Sequence, residues 1–217
     1  MLRNVGFLVL ALWFGCVYPL CAEQPSDGSS IGREIPNFTL DNCYGKPVSL
    51  SDFESAKAIA IVFLGTECPL AKLYGPRLVD IQQKYAEQGV QVIGINSNKQ
   101  DSLTEIAAYV HRHQIEFPVL KDPGNRIADI FGAARTPEAF LLDDRRVVRY
   151  HGRIDDQYGV GFTRQGEVQA ELQLAIDALL TGEEIASPET QAVGCHIGRV
   201  SQTEATGSVT YTKHIAA

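Results

Sequence analysis

A chain of 217 residues, 45% of them apolar, has room for one domain of ordinary size plus tails, and such a domain buries a full core without disulfides. A formal net charge of −7 with no basic block excludes nucleic acid and anionic membrane as partners. Five cysteines are too few for a disulfide scaffold, so each needs its own account.

The opening reads as a secretory leader. Arg3 gives a positive start, residues 5–20 are almost wholly apolar, and Leu20 and Ala22 suit the small-residue positions of a cleavage site. Residues 1–22 are therefore expected to act as a signal peptide. The product is expected to be exported, periplasmic or extracellular, with no stable membrane span after cleavage. Membrane anchoring by an uncleaved N-terminus is the alternative. Cleavage removes Cys16 and Cys21 and leaves Cys43, Cys68 and Cys195. Residues 23–32 read as a polar linker, 33–182 as the folded domain and 183–217 as a tail.

Residues 35–40 alternate apolar and polar and predict a strand, with a turn at Gly45 and a partner at 47–50. Residues 58–64 form a continuous apolar run, as in a strand covered on both faces. Gly65, Thr66 and Glu67 break it. A helical pattern then runs from Cys68 to about Gln88, with Leu73, Leu78, Ile81 and Tyr85 inward, a kink expected at Pro76 and a stop at Gly89. Residues 90–95 are a second buried strand. A helix follows Asp101 and Ser102, with Leu103, Ile106, Ala107 and Val110 on one face. Then come a short strand at 118–120, a short helix at 125–131 and a hairpin of 139–142 with 147–150. The last helix spans 167–180, with Val168, Leu172, Ile176, Leu179 and Leu180 inside. Alternating strands and helices with an antiparallel ending predict an α/β fold. Its central mixed sheet carries helices on both faces and an N-terminal β-hairpin extension.

Cys68 lies where the first buried strand gives way to a helix. Unsatisfied backbone N–H groups and the helix dipole favour an anion there, so the thiol should ionise readily. Thr66 is placed to donate a hydroxyl hydrogen bond to the sulfur, and Pro69 suits the first helical position. A buried, inert cysteine is the plainer alternative. Thr136-Pro137 precedes a strand, where a proline is tolerated in either cis or trans form.

Phe63-Leu64-Gly65-Thr66-Glu67-Cys68-Pro69, followed by Arg135-Thr136-Pro137-Glu138-Ala139-Phe140-Leu141-Leu142-Asp143, resembles the thioredoxin-like redoxin (AhpC/TSA) superfamily. The similarity is closest to a peroxiredoxin-like branch of exported redoxins. Gly32-Arg33-Glu34-Ile35-Pro36-Asn37-Phe38-Thr39-Leu40 resembles that family's opening segment, so the likeness runs from about Ile31 to Leu180. The resemblance implies a thioredoxin-like fold, a reactive Cys68 and a cis Pro137 facing it. It further implies a thiol-disulfide oxidoreductase or antioxidant thiol peroxidase, with a peroxide or disulfide substrate and an external thiol reductant. There are departures. Ala71 stands where thioredoxins have a second cysteine, which excludes a local dithiol. Thr66 lies two residues before Cys68, whereas peroxiredoxins have a threonine three before. The arginine that peroxiredoxins hold near sulfur has no motif match, with Arg135 and Arg77 as candidates.

A lone Cys68 needs a resolving partner. Cys195 sits in Val193-Gly194-Cys195-His196-Ile197-Gly198, an apolar island expected to pack back on the domain and resembling a similar island in exported redoxins. Cys43, in a turn, is the alternative. A metal-handling module using Cys68, Cys195 and His196 and an inactive redoxin scaffold are the rival functions. The remaining histidines lack zinc-ligand spacing, and residues 152–156 read as a solvated loop. No phosphate-binding or dinucleotide motif occurs, and no cofactor is expected. Residues 209–216 resemble the join that leads to a c-type haem region in longer relatives. Without Cys-x-x-Cys-His, no covalent haem is expected.

Overall fold

The computed structural model describes residues 29–200. The expected leader at 1–22 and the haem-like join at 209–216 lie outside them. Among the described residues no helix is long and apolar enough to cross a membrane.

The elements in chain order are β1 (Thr39–Asn42), β2 (Pro47–Ser49), β3 (Ala58–Phe63), α1 (Pro69–Tyr85), β4 (Val90–Asn96), α2 (Leu103–Arg112), β5 (Val119–Lys121) and α3 (Arg126–Phe131). They continue with β6 (Arg135–Thr136), β7 (Glu138–Leu142), β8 (Val148–Gly152), β9 (Tyr158–Gly159), β10 (Phe162–Thr163), α4 (Glu171–Thr181) and β11 (Cys195–His196). The main sheet has the order β2-β1-β5-β4-β3-β7-β8. β3, β4 and β5 run parallel, while β7 pairs antiparallel with β3 and β8 antiparallel with β7.

The continuous apolar run at β3 serves two cores because successive side chains leave a strand on opposite faces. Ala58, Ala60 and Val62 face Leu78 and Ile81 of α1, Ile106 of α2, and Leu172 and Ile176 of α4. Ile59, Ile61 and Phe63 face Phe131 of α3, Phe140, and the opening residues Ile35 and Phe38. The expected mixed sheet with helices on both faces is therefore present.

Four details differ from the sequence expectation. The opening strand pairs only from Thr39; Pro36 has no N–H for a ladder, and Glu34 makes an isolated bridge to Val147 instead. α1 turns Tyr74, Leu78, Ile81 and Tyr85 inward and leaves Leu73 exposed, the inward stripe being set one residue later. α4 starts at Glu171 because residues before it pair with a loop: Asp156 N–H donates to the Gln169 carbonyl and Gln169 N–H to Asp156 Oδ1. That loop is not solvated. Asp155 is 2% exposed, accepts from Tyr74 Oη at 2.7 Å and pairs with Arg77 at 2.7 Å.

Past α4 the tail returns across the molecule. His151 N–H donates to the Pro188 carbonyl and Thr190 N–H to the His151 carbonyl, so the tail covers the outer edge of β8 at His151, as Gly32 and Arg33 cover it at Val148. It then reaches β6, where β11 pairs antiparallel with Cys195 opposite Thr136. Ile197, 5% exposed, enters the core beside α3.

Candidate active site

Cys68 caps the N-terminus of α1 with extended backbone, and Pro69 fills the first helical position. Its thiol is buried at 4% exposure and donates to the Thr136 carbonyl at 2.9 Å. The Thr136-Pro137 bond is cis, and the turn it forms lies against Cys68.

The tail brings the second sulfur. Gly194 sits so close to the Thr136-Pro137 peptide that an added Cβ would lie 2.0 Å from the Thr136 carbonyl oxygen. Arg135 Nη1 donates to the Gly194 carbonyl at 2.9 Å, and Ile197 N–H to the Ala134 carbonyl. Cys195, one residue on from Gly194, pairs in register with Thr136, the residue whose carbonyl meets the Cys68 thiol, and is exposed.

The two thiols differ in character. Burial pushes the Cys68 thiol up, but the Ala71 and Cys195 backbone N–H groups, the Cys195 thiol and the Thr136 hydroxyl all favour its thiolate, and the balance lies below the usual cysteine value. The Thr136 hydroxyl has no partner beside the neutral thiol, so it is free to turn toward an ionised sulfur. Cys195 is pushed up to about 11, by burial first and then by its hydrogen bond to Cys68 and the charge there. The pair thus favours a thiolate at Cys68 with a proton held on Cys195.

The expected hydrogen bond from the Thr66 hydroxyl is not formed. That hydroxyl is buried without a partner, and Thr66 contributes its backbone N–H to Asp101 Oδ2 at 2.9 Å instead. Thr136 brings a second hydroxyl near the sulfur, likewise without a partner beside the neutral thiol. The arginine candidates are both engaged elsewhere, Arg77 with Asp155 and Arg135 with Gly194. Cys43 is buried in the turn after β1, with its N–H on the Val119 carbonyl, and burial raises its pKa.

Two buried carboxylates brace the site, and neither stands out in the sequence. Asp101 Oδ2 accepts from Thr66 N–H, Asn96 Nδ2 and Asn98 Nδ2, which fixes the loop that leads into Cys68. Burial pushes its carboxyl up, but those donors hold it below the ordinary value. Glu138 accepts the Ala134 and Arg135 N–H groups, both at 2.7 Å, and meets His151 Nε2 at 2.6 Å. It thereby shapes the turn that carries Thr136. His151 stacks on Phe140 with ring centroids 4.2 Å apart, which orients the imidazole toward Glu138. Beside the Cys68 loop lies a small cavity of about 140 Å³ lined by Thr66, Tyr109 and Arg112 among others.

No group of three or more metal-binding side chains occurs among the described residues. Cys195 and His196 are successive strand residues, and such side chains leave on opposite sides.

The chain is similar to several known proteins. Thiol-disulfide oxidoreductase ResA of Bacillus thuringiensis is 32% identical over 120 residues, 55% of this chain and 68% of that protein. Chloroplastic peroxiredoxin Q of Triticum aestivum is 30% identical over 128 residues, 56% of this chain and 58% of that protein. A crystal structure of a hypothetical protein from Sinorhizobium meliloti 1021 superposes with a TM-score of 0.71 at 32% identity, covering 79% of this chain and 95% of that one. A Mycobacterium tuberculosis peroxidoxin, at 20% identity and a TM-score of 0.51, shares the thioredoxin-like fold. The family model for AhpC/TSA matches residues 31–151, which include the Cys68 loop, the cis-proline turn and His151, and the chain belongs to the AhpC/TSA family.

Proposed function

We propose that this protein is an exported two-thiol oxidoreductase in which Cys68 is the nucleophile and Cys195 the resolving thiol. One observation carries the reading: the tail strand pairs with the cis-proline turn and holds Cys195 against a Cys68 whose thiolate is favoured. The family membership supports the oxidoreductase class, and the leader-like residues 1–22 support export.

Cys68, as thiolate, attacks one atom of a small oxidant. With a peroxide, a sulfur–oxygen bond forms as the oxygen–oxygen bond breaks, the alcohol or water leaves and Cys68 becomes a sulfenic acid. With a small disulfide, Cys68 forms a mixed disulfide and releases a thiolate. Cys195 then loses its proton and attacks the Cys68 sulfur, so the Cys68–Cys195 bond forms while water or the second thiolate leaves. An external dithiol returns both cysteines to thiols and is itself oxidised. The 4% exposure of Cys68 favours small oxidants over folded protein disulfides.

The test is a peptide map of the oxidised full-length protein. A Cys68–Cys195 linkage is expected. Cys68→Ser should abolish turnover, and Cys195→Ser should complete the first oxidation and then accumulate sulfenic or over-oxidised Cys68. A linkage to Cys43, or full turnover by Cys68→Ser, overturns the reading.

A further inference from the structure

We propose that Asn98 is a positioning residue that ties the Cys68 loop to the tail and so sets the rate at which Cys195 closes onto Cys68. This rests on the two-thiol reading above. Asn98 follows β4 and is 5% exposed. Its Nδ2 donates to Asp101 Oδ2 at 3.1 Å, the same oxygen that accepts the Thr66 N–H. That nitrogen also lies 2.6 Å from where a Cβ on Gly65 would stand, so Gly65 leaves the space the amide occupies. On its other side, Asn98 Oδ1 accepts the Gly198 N–H at 2.8 Å. The backbone next to it repeats the grip, with Lys99 N–H donating to the Gly198 carbonyl at 2.9 Å.

One carboxamide, itself 100 positions from Gly198, therefore links the tail directly at Gly198 with the Cys68 loop through Asp101. Its nitrogen side holds the loop that ends at Cys68, and its oxygen side holds the tail just past Cys195. Only a group that donates and accepts fits both partners. Aspartate would lose the donor and bring a second carboxylate against Asp101. Alanine would leave the Gly198 N–H and one donor to Asp101 missing. The amide orientation is fixed by the same pair, since a carboxylate must be met by NH₂ and an N–H by oxygen.

None of the hydrogen bonds of Asn98 goes to a sulfur. Its effect is on approach, the local concentration of Cys195 at Cys68, and Cys68 loses thiolate-favouring donors only as the tail departs. With Cys68 fully ionised it should therefore act on the closing step and leave the first attack alone.

A small aromatic disulfide such as Ellman's reagent separates the two steps in the reduced full-length protein. Attack on the reagent breaks its disulfide and releases one aromatic thiolate at a rate proportional to reagent. Closure of the Cys68–Cys195 bond releases the second at a rate independent of reagent. The runs are made above the Cys68 midpoint of each protein, because a displaced tail takes thiolate-stabilising donors with it. Asn98→Ala is expected to slow the second release about tenfold, the effect of about 1.4 kcal/mol of lost docking, with the first release unchanged. Gly198→Pro, which removes the tail N–H and leaves the Asn98-Asp101 contact in place, should reproduce the slow second release if Asn98→Ala does not fold. An unchanged second release in the folded variant, Asn98→Ala or Gly198→Pro, or an equal slowing of both releases, overturns the proposal. A wild-type protein that never forms the Cys68–Cys195 bond sinks the two-thiol reading itself.

Discussion

Gly194→Ala tests whether docking of the tail governs closure of the disulfide. The added Cβ would lie 2.0 Å from the Thr136 carbonyl oxygen and 2.7 Å from its carbon. Both are backbone atoms and cannot swing aside. To restore a separation of 3.0 Å, β11 must withdraw from β6 by about 1 Å, which stretches ladder hydrogen bonds past useful length. Two such bonds at about 1 kcal/mol each make the penalty roughly 2 kcal/mol, within the usual cost of overpacking. Docking has little reserve to absorb it. Eight hydrogen bonds hold residues 194–200 to the domain. At about 1 kcal/mol each, with the two ladder bonds counted likewise and about 2 kcal/mol from burying Ile197, the docked tail gains roughly 12 kcal/mol. Ordering residues 192–200 costs about the same. The ratio of docked to undocked tail should therefore fall about 30-fold. Rapid acid quench after a pulse of hydrogen peroxide, with mass spectrometry of the cysteine peptides, reads the closing rate directly. Gly198→Ala is the control, because its Cβ meets the free end of the Gln100 side chain. Closure of Gly194→Ala at the wild-type rate would refute the claim that pairing with β6 delivers Cys195.

Cys195→Ala removes a donor that favours the Cys68 thiolate, so the pH midpoint of Cys68 alkylation should rise toward the ordinary cysteine value; iodoacetamide labelling across pH checks this. Glu138 has a folded-state pKa below its ordinary 4.5: burial raises it, but the His151, Ala134 and Arg135 contacts outweigh that. Its contribution to stability is present above pH 4.5 and is lost as pH falls through the lower folded value. Denaturant midpoints of Glu138→Gln should accordingly vary less with pH below that point than those of wild type. Asp155→Ala removes the buried carboxylate shared by Tyr74 and Arg77, while Tyr74 keeps the residue-155 carbonyl and Arg77 keeps Gln157, and should cost about 1–2 kcal/mol, seen as a fall in Tm of roughly 2–8 °C.

The place of Cys68 and the frame around it were legible in the sequence because both rest on local signals. The β3 run gives way to Gly65, Thr66 and then a helix start at Cys68, and that order needs no tertiary knowledge. The island around Cys195 also stood out, since apolar residues in a polar tail have to be buried somewhere. The bracing residues were hidden for the opposite reason. Asn98 and Asp101 lie in a stretch that reads as an ordinary polar loop and helix cap. Their function arises from meeting residues 65–66 and 198, contacts no periodicity encodes. Thr66 was assigned the hydroxyl bond by proximity in sequence, whereas the hydroxyl that favours an ionised Cys68 belongs to Thr136, distant in the chain. Glu138 and His151 alternate with core residues on neighbouring strands, and only the β7–β8 register brings them together.

The path of the tail has a second consequence, for association between molecules. A sheet with open ends invites pairing with another chain. At one end of this sheet stands β2, three residues long and begun by Pro47. At the other, β8 is capped at Val148 by Gly32 and Arg33 and at His151 by the segment around Pro188 and Thr190, from which the chain goes on to Cys195. One stretch of chain thus seals part of an adhesive border and carries Cys195 to the turn against Cys68. A cut after Ser187 would remove both, taking Cys195 away and leaving the His151 end of the β8 border open to its neighbours.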